Sequence, residues 1–233
     1  VDAISNAYCE LITRFDRLGA SWLQFDEPYL VHDLSPEDTA LFVQLYKNIL
    51  HNKSGHDIKI LLQTYFGDIR NCYNEVCSLA FDGVGLDFLE GKQTLELVEK
   101  NGFPQDKLLF AGIVNGKNIW RNDYAKSLKI IDFLTSEGIN TVLNTSCSLL
   151  HVPYTLINEN KLPDRYKEHF AFAQEKLSEL GELKTLCGCA DETNDDASKA
   201  YAGNPLFTAN QKLHASRPDK DNEAVKTRLA KIK

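Results

Sequence analysis

Methionine does not occur anywhere in the 233 residues, and the chain opens on Val1. A sequence without an initiator is expected to be a fragment or a processed product. Neither G-x-G-x-x-G nor G-x-x-x-x-G-K-[ST] is present, which removes dinucleotide and nucleoside-triphosphate chemistry from the expected functions. Lysine and arginine form no block, and 26 of them stand against 33 acidic residues for a net charge of -7. Without a basic face, nucleic acid is not an expected partner. No apolar run approaches the roughly 18 residues of a membrane span, and no signal-peptide pattern opens the chain, so we expect a cytoplasmic protein without a membrane partner. C-x-x-C and H-x-x-x-H spacings are also lacking. The six cysteines, Cys9, Cys72, Cys77, Cys147, Cys187 and Cys189, are scattered through a chain too long to need staples and read as thiols. The pair Cys187-Gly-Cys189 is a lone C-x-C, weak evidence for a metal.

What is present is a 43% apolar chain able to bury a core as one domain or most of one. Ser21 to Leu30 is its organising stretch. The run Trp22-Leu23-Gln24-Phe25 reads as a buried strand that stops at Asp26-Glu27-Pro28, because proline disfavours helix before it and cannot donate to a ladder. Before it, Ile4, Ala7, Tyr8, Leu11, Ile12, Phe15 and Leu18 recur at helical spacing over residues 4–18, ended by Gly19. After it, Ser35-Pro36-Glu37-Asp38 opens a helix with a serine cap, an early proline and acids at the positive end of the dipole. Its expected buried stripe is Leu41, Phe42, Leu45, Tyr46 and Ile49.

The unit then repeats. Strands are predicted at 58–62, 83–88, 108–114 and 140–144, and helices at 68–79, 94–100 and 123–137. A last helix with stripe Tyr166, Phe170, Ala173, Leu177, Leu180 and Leu183 runs to about Thr185. Five strands alternating with helices imply βαβ units and a parallel sheet. Beyond Leu186 the composition turns polar. Short helices are expected at 204–214 and 222–233, where Lys226, Arg228, Lys231 and Lys233 form a solvated face.

In parallel α/β folds the carboxyl ends of the strands face the ligand crevice. Those ends carry Asp26 and Glu27, Thr64 and Tyr65, Asp87 and Glu90, Asn115 and Asn118, and Cys147 and His151. Asp26 and Glu27 could build a site, or cap the next helix or pair with a lysine. Cys147, His151 and Asp87 are imaginable zinc ligands, and Cys147 with His151 an imaginable nucleophile pair. The alternative is a small buried cysteine and a hydrogen-bonded structural histidine.

Five motifs in order, Trp22-Leu23-Gln24-Phe25-Asp26-Glu27-Pro28, Gln63-Thr64-Tyr65-Phe66-Gly67, Gly85-Leu86-Asp87, Asn115-Gly116-Lys117-Asn118-Ile119-Trp120-Arg121 and Ser146-Cys147-Ser148-Leu149-Leu150-His151-Val152-Pro153, resemble the cobalamin-independent methionine synthase family, specifically its N-terminal domain. The match spans nearly the whole chain, through the tail around Arg217 and Arg228.

The resemblance implies two (β/α)8 barrels that look like copies of each other. It implies methyl transfer from methyltetrahydrofolate polyglutamate to homocysteine, giving methionine. Zinc is then held in the C-terminal barrel by a His-x-Cys, a Glu and a distal Cys, where it stabilises the homocysteine thiolate. Compared copy to copy, those ligand positions fall near Thr64 to Phe66, near Asp87 to Glu90 and at Cys147, and only Cys147 keeps the right chemistry. Asp26 falls where the catalytic copy contacts the amino-acid substrate. The resemblance therefore implies no catalytic, cofactor-binding or metal-ligating residue in this segment.

The family's opening Gly-Phe-Pro-Arg strand and its folate-tail Arg-Glu-Leu-Lys segment are missing. The expected fold is α/β, a parallel TIM-type (β/α)8 barrel present only as about its last five βα units. Residues 1–186 would form the partial barrel, and 187–233 a polar tail with short helices leading toward the interdomain linker. Two functions follow as alternatives. One is scaffold and interdomain support for a catalytic barrel of the same polypeptide, inactive alone. The other is a stand-alone binding module or small metal enzyme using Asp26, Glu27, Asp87, Cys147 and His151.

Overall fold

The computed structural model describes residues 1–53, 55–188, 200–217 and 223–232. Cys189 and Lys233 lie outside them. The chain divides into two compact units, Val1–Lys117 with Lys129–His151, and Asn118–Leu128 with Val152–Lys233. Among the described residues no helix is long and apolar enough to cross a membrane.

The first unit contains α1 (Asp2–Arg17), β1 (Trp22–Asp26), α2 (Pro36–Asn52), β2 (Lys59–Gln63), α3 (Tyr73–Ser78), β3 (Gly83–Asp87), α4 (Thr94–Asn101), β4 (Leu108–Val114), the later part of α5 (Tyr124–Ser136) and β5 (Thr141–Thr145). The sheet order is β1-β2-β3-β4-β5 and every pairing is parallel. This is the α/β architecture expected from the alternation of strands and helices. One row across the sheet runs Asp26, Gln63, Gly85, Phe110, Val142. Strands lie about 4.8 Å apart, so in a flat sheet β2 and β5 would be separated by about 14 Å. Instead the Asn144 amide on β5 donates to Gln63 Oε1 on β2 at 3.1 Å, and the rings of Trp22 on β1 and Phe110 on β4 meet edge to face with centroids 5.7 Å apart. Both pairs are chords across a concave face, so the sheet curls as a barrel wall does. Gly83 and Gly85 leave the room: a Cβ on Gly85 would fall 2.1 Å from Gln63 Oε1.

The two faces of the sheet differ. The convex face carries Ile60, Leu62, Val84, Leu86, Leu109 and Ala111, all buried, and the helices cover it. The concave face carries Gln63, Gly85, Asp87 and Asn144, which alternation places opposite. Strand β1 departs from the expected buried strand. Only Phe25 is buried in it and Trp22 is 36% exposed, because its outer edge has no partner strand among the described residues. In α1 the expected stripe is split: Ile12 is buried, whereas Ile4, Leu11, Phe15 and Leu18 are exposed.

Helix α2 starts where its cap predicts. Ser35 Oγ accepts from the Asp38 amide at 3.1 Å, and Asp38 accepts in return from the Ser35 amide at 3.3 Å. Ser35→Ala is expected to lower unfolding free energy by about 1 kcal/mol, read as a lower urea midpoint with an unchanged slope. Inside the stripe, Tyr46 and Ile49 are buried and Leu41 is exposed. Helix α3 is shorter than its expected 68–79 span. Asp68 does not open it, since its carboxylate holds Arg70 at 2.8 Å and the Gln93 amide at 3.3 Å, fixing a turn instead.

The second unit begins with residues 118–128, which include the start of α5, and continues through α6 (Asp164–Lys167), α7 (Ala173–Cys187), α8 (Pro205–Ala215) and α9 (Glu223–Ala230). The expected helix through Tyr166 and Phe170 is broken in two. Trp120 and Phe170 form an antiparallel bridge, flanked by Arg121 N–H to His169 O at 2.9 Å and Ala171 N–H to Ile119 O at 2.8 Å, which takes that backbone out of the helix. The buried face of α7 is Lys176, Glu179, Leu183 and Leu186, whereas Leu177 is 58% exposed. Glu175 accepts from Thr155 Oγ1 at 2.9 Å and from the Leu156 and Phe172 amides at 3.1 Å. Asn204 caps α8 by accepting from Leu206 N–H at 3.0 Å. Lys226 pairs with Glu223 at 3.1 Å on the exposed α9.

Candidate functional site

In the first unit the carboxyl ends of the strands bring together most of the residues singled out from the sequence. Asp87, at the end of β3, is 1% exposed. Its Oδ1 accepts from the Leu89 and Glu90 amides at 2.9 Å each, and its Oδ2 from the Phe66 amide at 3.0 Å. Burial raises this carboxyl above the usual carboxylate range, with the three amides opposing. Phe66 has a φ of 75°, a left-handed conformation that a bulky side chain seldom adopts. Its N–H to Asp87 is what holds it there. Around the Phe66 ring stand Tyr65, centroids 4.7 Å apart, His151 at 5.4 Å, and the Lys117 ammonium at 5.5 Å. Lys117 also pairs with Glu90 at 3.2 Å.

The two carboxylates after β1 diverge. Asp26 accepts from the Gln24 amide at 2.7 Å and from the Tyr65 hydroxyl at 3.4 Å. Glu27 turns toward α2 and accepts from the Tyr46 hydroxyl, and burial raises its carboxyl. Glu27 stands at the N-cap of the short 3-10 turn Pro28–Val31 without a side-chain cap bond, and among the described residues neither carboxylate pairs with a lysine. Thr64 donates its hydroxyl to Gly85 O at 2.8 Å.

Cys147 is buried, its thiol is pushed up by burial, and it donates weakly to Ser148 O at 3.8 Å. Gly116 packs against it so closely that a Cβ there would fall 2.4 Å from the Cys147 carbonyl oxygen. A nucleophilic thiol needs the opposite environment, one that favours the thiolate. His151 is exposed and packs edge to face on Phe66. Asn115 Oδ1 accepts from the Lys117 amide at 2.9 Å and Asn118 Oδ1 from the Trp120 amide at 3.0 Å, so both asparagines hold the loop after β4.

Zinc does not fit these residues. Among the described residues no group of three or more His, Cys, Asp or Glu is placed to hold a metal ion. At the positions the resemblance equates with metal ligands, Thr64 is bonded to backbone, Asp87 spends its oxygens on three amides, and Cys147 is held as a thiol. Asp87, Asn115 and Asn118 fix loops by accepting from backbone amides, whereas Asp26 and Glu27 accept from side chains and His151 is exposed.

Sequence reasoning did not single out Phe66 or Gln63 as structural keys, nor Lys176 and Glu179 in the second unit. Glu179 is fully buried, accepting from the Asn122 amide at 3.0 Å and lying 3.9 Å from the Arg121 guanidinium. The available signal was a Lys176–Glu179 pair at i, i+3 on the face where Leu183 repeats, whereas Gly85 meets Gln63 only through the β2–β3 register.

A family profile described as "Cobalamin-independent synthase, N-terminal domain" matches residues 1–138. A 5-methyltetrahydropteroyltriglutamate--homocysteine methyltransferase of Campylobacter jejuni subsp. jejuni serotype O:23/36 (strain 81-176) is 51% identical over 232 residues, which is 100% of this chain and 29% of that protein. The protein of the same name from Streptococcus gordonii is 48% identical over 230 residues, 99% of this chain and 28% of its own length. The chain thus spans under a third of the relatives it matches. A solved B12-independent methionine synthase from Shewanella sp. W3-18-1, in complex with selenomethionine, superposes with a TM-score of 0.51 at 11% identity, covering 64% of this chain and 48% of that one. That last likeness is one of fold alone.

Proposed function

The chain belongs to the cobalamin-independent methionine synthase family, within its N-terminal domain, and from that premise we propose that it supports a homocysteine methyltransferase without carrying its chemistry. The full-length polypeptide would transfer a methyl group from 5-methyltetrahydropteroyltriglutamate to homocysteine, the two substrates in its relatives' name, in a methionine-forming reaction of the cytoplasm. Zinc would be held by the C-terminal barrel, outside these residues, and this segment would be the metal-free copy. Residues 1–186 would be the partial barrel, and 187–233 the tail leading toward the interdomain linker.

One observation supports this reading: the most buried strand-end carboxylate, Asp87, is consumed by the fold itself, through three backbone amides. A catalytic base or ligand has to keep a lone pair for its substrate. The outer edge of β1, unpaired among the described residues, and the exposed stripe of α1 add a reason for inactivity in isolation, since an open edge beside apolar surface calls for more polypeptide. Cys147→Ala in the full-length enzyme is expected to leave kcat/KM for methyl transfer within about twofold of wild type. A loss on the order of a hundredfold with an unchanged unfolding midpoint would overturn the support role and return Cys147 to the chemistry.

A further inference from the structure

The second unit holds a narrow cleft whose lining is almost wholly hydrogen-bond donors. Trp120, Arg121, His169, His214 and Arg217 surround it and Leu213 completes it, leaving about 10 Å³. That is room for one water-sized group. Arg217 lies over the indole of Trp120, its guanidinium carbon 3.5 Å from the ring centroid. Burial alone lowers its pKa, and no carboxylate contributes. Arg121 reaches Glu179 only at 3.9 Å, and its Nε is buried with no hydrogen-bond partner. Of the nearby acceptors, Glu179 Oε2 is likewise buried with no hydrogen-bond partner, so Glu179 offers Arg121 a counter-charge that Arg217 lacks. Glu179 Oε1 takes the Asn122 amide, Asn122 O takes His214 Nε2 at 3.0 Å, and Glu168 stands 3.5 Å from His169 Nε2.

Two guanidiniums therefore face one cavity with a single, long ion pair between them. A partly desolvated cation without a counter-charge is costly, and an anion offsets that cost. Guanidinium is also the side chain whose fork of donors fits carboxylate and phosphate oxygens. We propose that this cleft is an oxyanion site, in which one oxygen of a phosphate or carboxylate group enters between Arg217 and Arg121. The cavity admits that oxygen and little else, so the remainder of the ligand stays in solvent and the site grips an end rather than enclosing a molecule. Trp120 holds the Arg217 plane in place by stacking. The inference stands on this cleft alone and does not depend on the methyl-transfer reading.

The test is calorimetric titration of the full-length protein at low ionic strength, with inorganic phosphate and, separately, with γ-linked triglutamate. Saturable binding of at least one anion is expected, weakened about tenfold or more by Arg217→Gln and by less in Arg217→Lys, which keeps the charge and loses the fork. Phosphate binding without triglutamate binding assigns a phosphate ligand, and the reverse assigns a carboxylate. If Arg217→Gln does not fold, Arg121→Gln and Arg217→Lys decide, at a wild-type melting temperature. Absence of saturable binding by both anions, or binding that the folded variants leave unchanged, would overturn the proposal. A purely structural Arg217–Trp120 stack would lower the melting temperature of Arg217→Gln while leaving anion binding unmoved.

Discussion

Asp87→Ala is expected to lower the unfolding free energy by about 3–5 kcal/mol. The loss comes from acceptors, not from charge. The side chain is buried and takes the amides of Phe66, Leu89 and Glu90, and each donor left unsatisfied in a buried place costs about 1–3 kcal/mol, less whatever water can reach it. Phe66 adds its own strain, since its φ of 75° is disfavoured by about 1–2 kcal/mol in an L-residue. Asp87→Asn should fall between alanine and wild type. Its one carbonyl oxygen can still serve Leu89 and Glu90, but its NH₂ would confront the Phe66 N–H, donor against donor. Urea unfolding reads the series, and an alanine variant within about 0.5 kcal/mol of wild type would refute the anchoring role.

The same residue fixes the sign of a pH effect. Burial raises the Asp87 carboxyl in the folded protein, so between the ordinary carboxylate value and the raised one the native state holds a proton that the unfolded chain has released. Stability linked to this group is complete below the ordinary value and declines as pH rises through the raised one. Glu27 and Glu179, both raised by burial, act in the same direction. Asp87→Asn has no proton to lose, so the stability gap between it and wild type should narrow as pH rises across that window.

Gly112→Ala is expected to cost about 3 kcal/mol or more, for a steric rather than a polar reason. An added Cβ would lie 2.8 Å from Ser146 Cα, 3.0 Å from the Leu86 carbonyl oxygen and 3.2 Å from that of Thr145. All three are backbone atoms, from β3, from β5 and from the turn after β5, and none can rotate away as a side-chain tip can. Relief has to come from the β4–β5 ladder, which already shifts register between Gly112 and Val114. A destabilised but folded variant with altered amide protection in β4 and β5 is the expected outcome of hydrogen exchange. Wild-type protection there would contradict the steric argument.

Strands β2, β3 and β4 were legible because local chemistry and burial agree in them. Residues 108–114 are apolar, short and flanked by breakers, and β4 occupies that span. Ser35, Pro36 and Asp38 announced α2 because a cap is a local device. What could not be read depends on tertiary partners. Glu27 bonds to Tyr46 through a turn whose direction no pattern states. Asp68 abandons the helix it should open in favour of Arg70 and Gln93. The helix expected through Phe170 is broken because Trp120, fifty residues earlier, competes for that backbone. Lys176 and Glu179 lie off the expected stripe and are both fully buried, since hydropathy counts each charge alone while the fold places opposite charges together. The strand-end residues were legible as a cluster, but which groups their side chains bond, as Asp87 does the Phe66, Leu89 and Glu90 amides, was not.

The neighbour order of the sheet bears on how the chain is made. Every strand pairs with the strand translated just before it, so no pairing waits for a distant segment. On the ribosome, β2 can dock on β1 as soon as it clears the exit tunnel, and each later strand meets an edge already laid down. The wall thus grows in one direction at the pace of synthesis. At any pause, the nascent chain displays a growing edge on its newest strand, opposite the outer edge of β1, and the growing edge is the one a chaperone would have to keep free for the next strand.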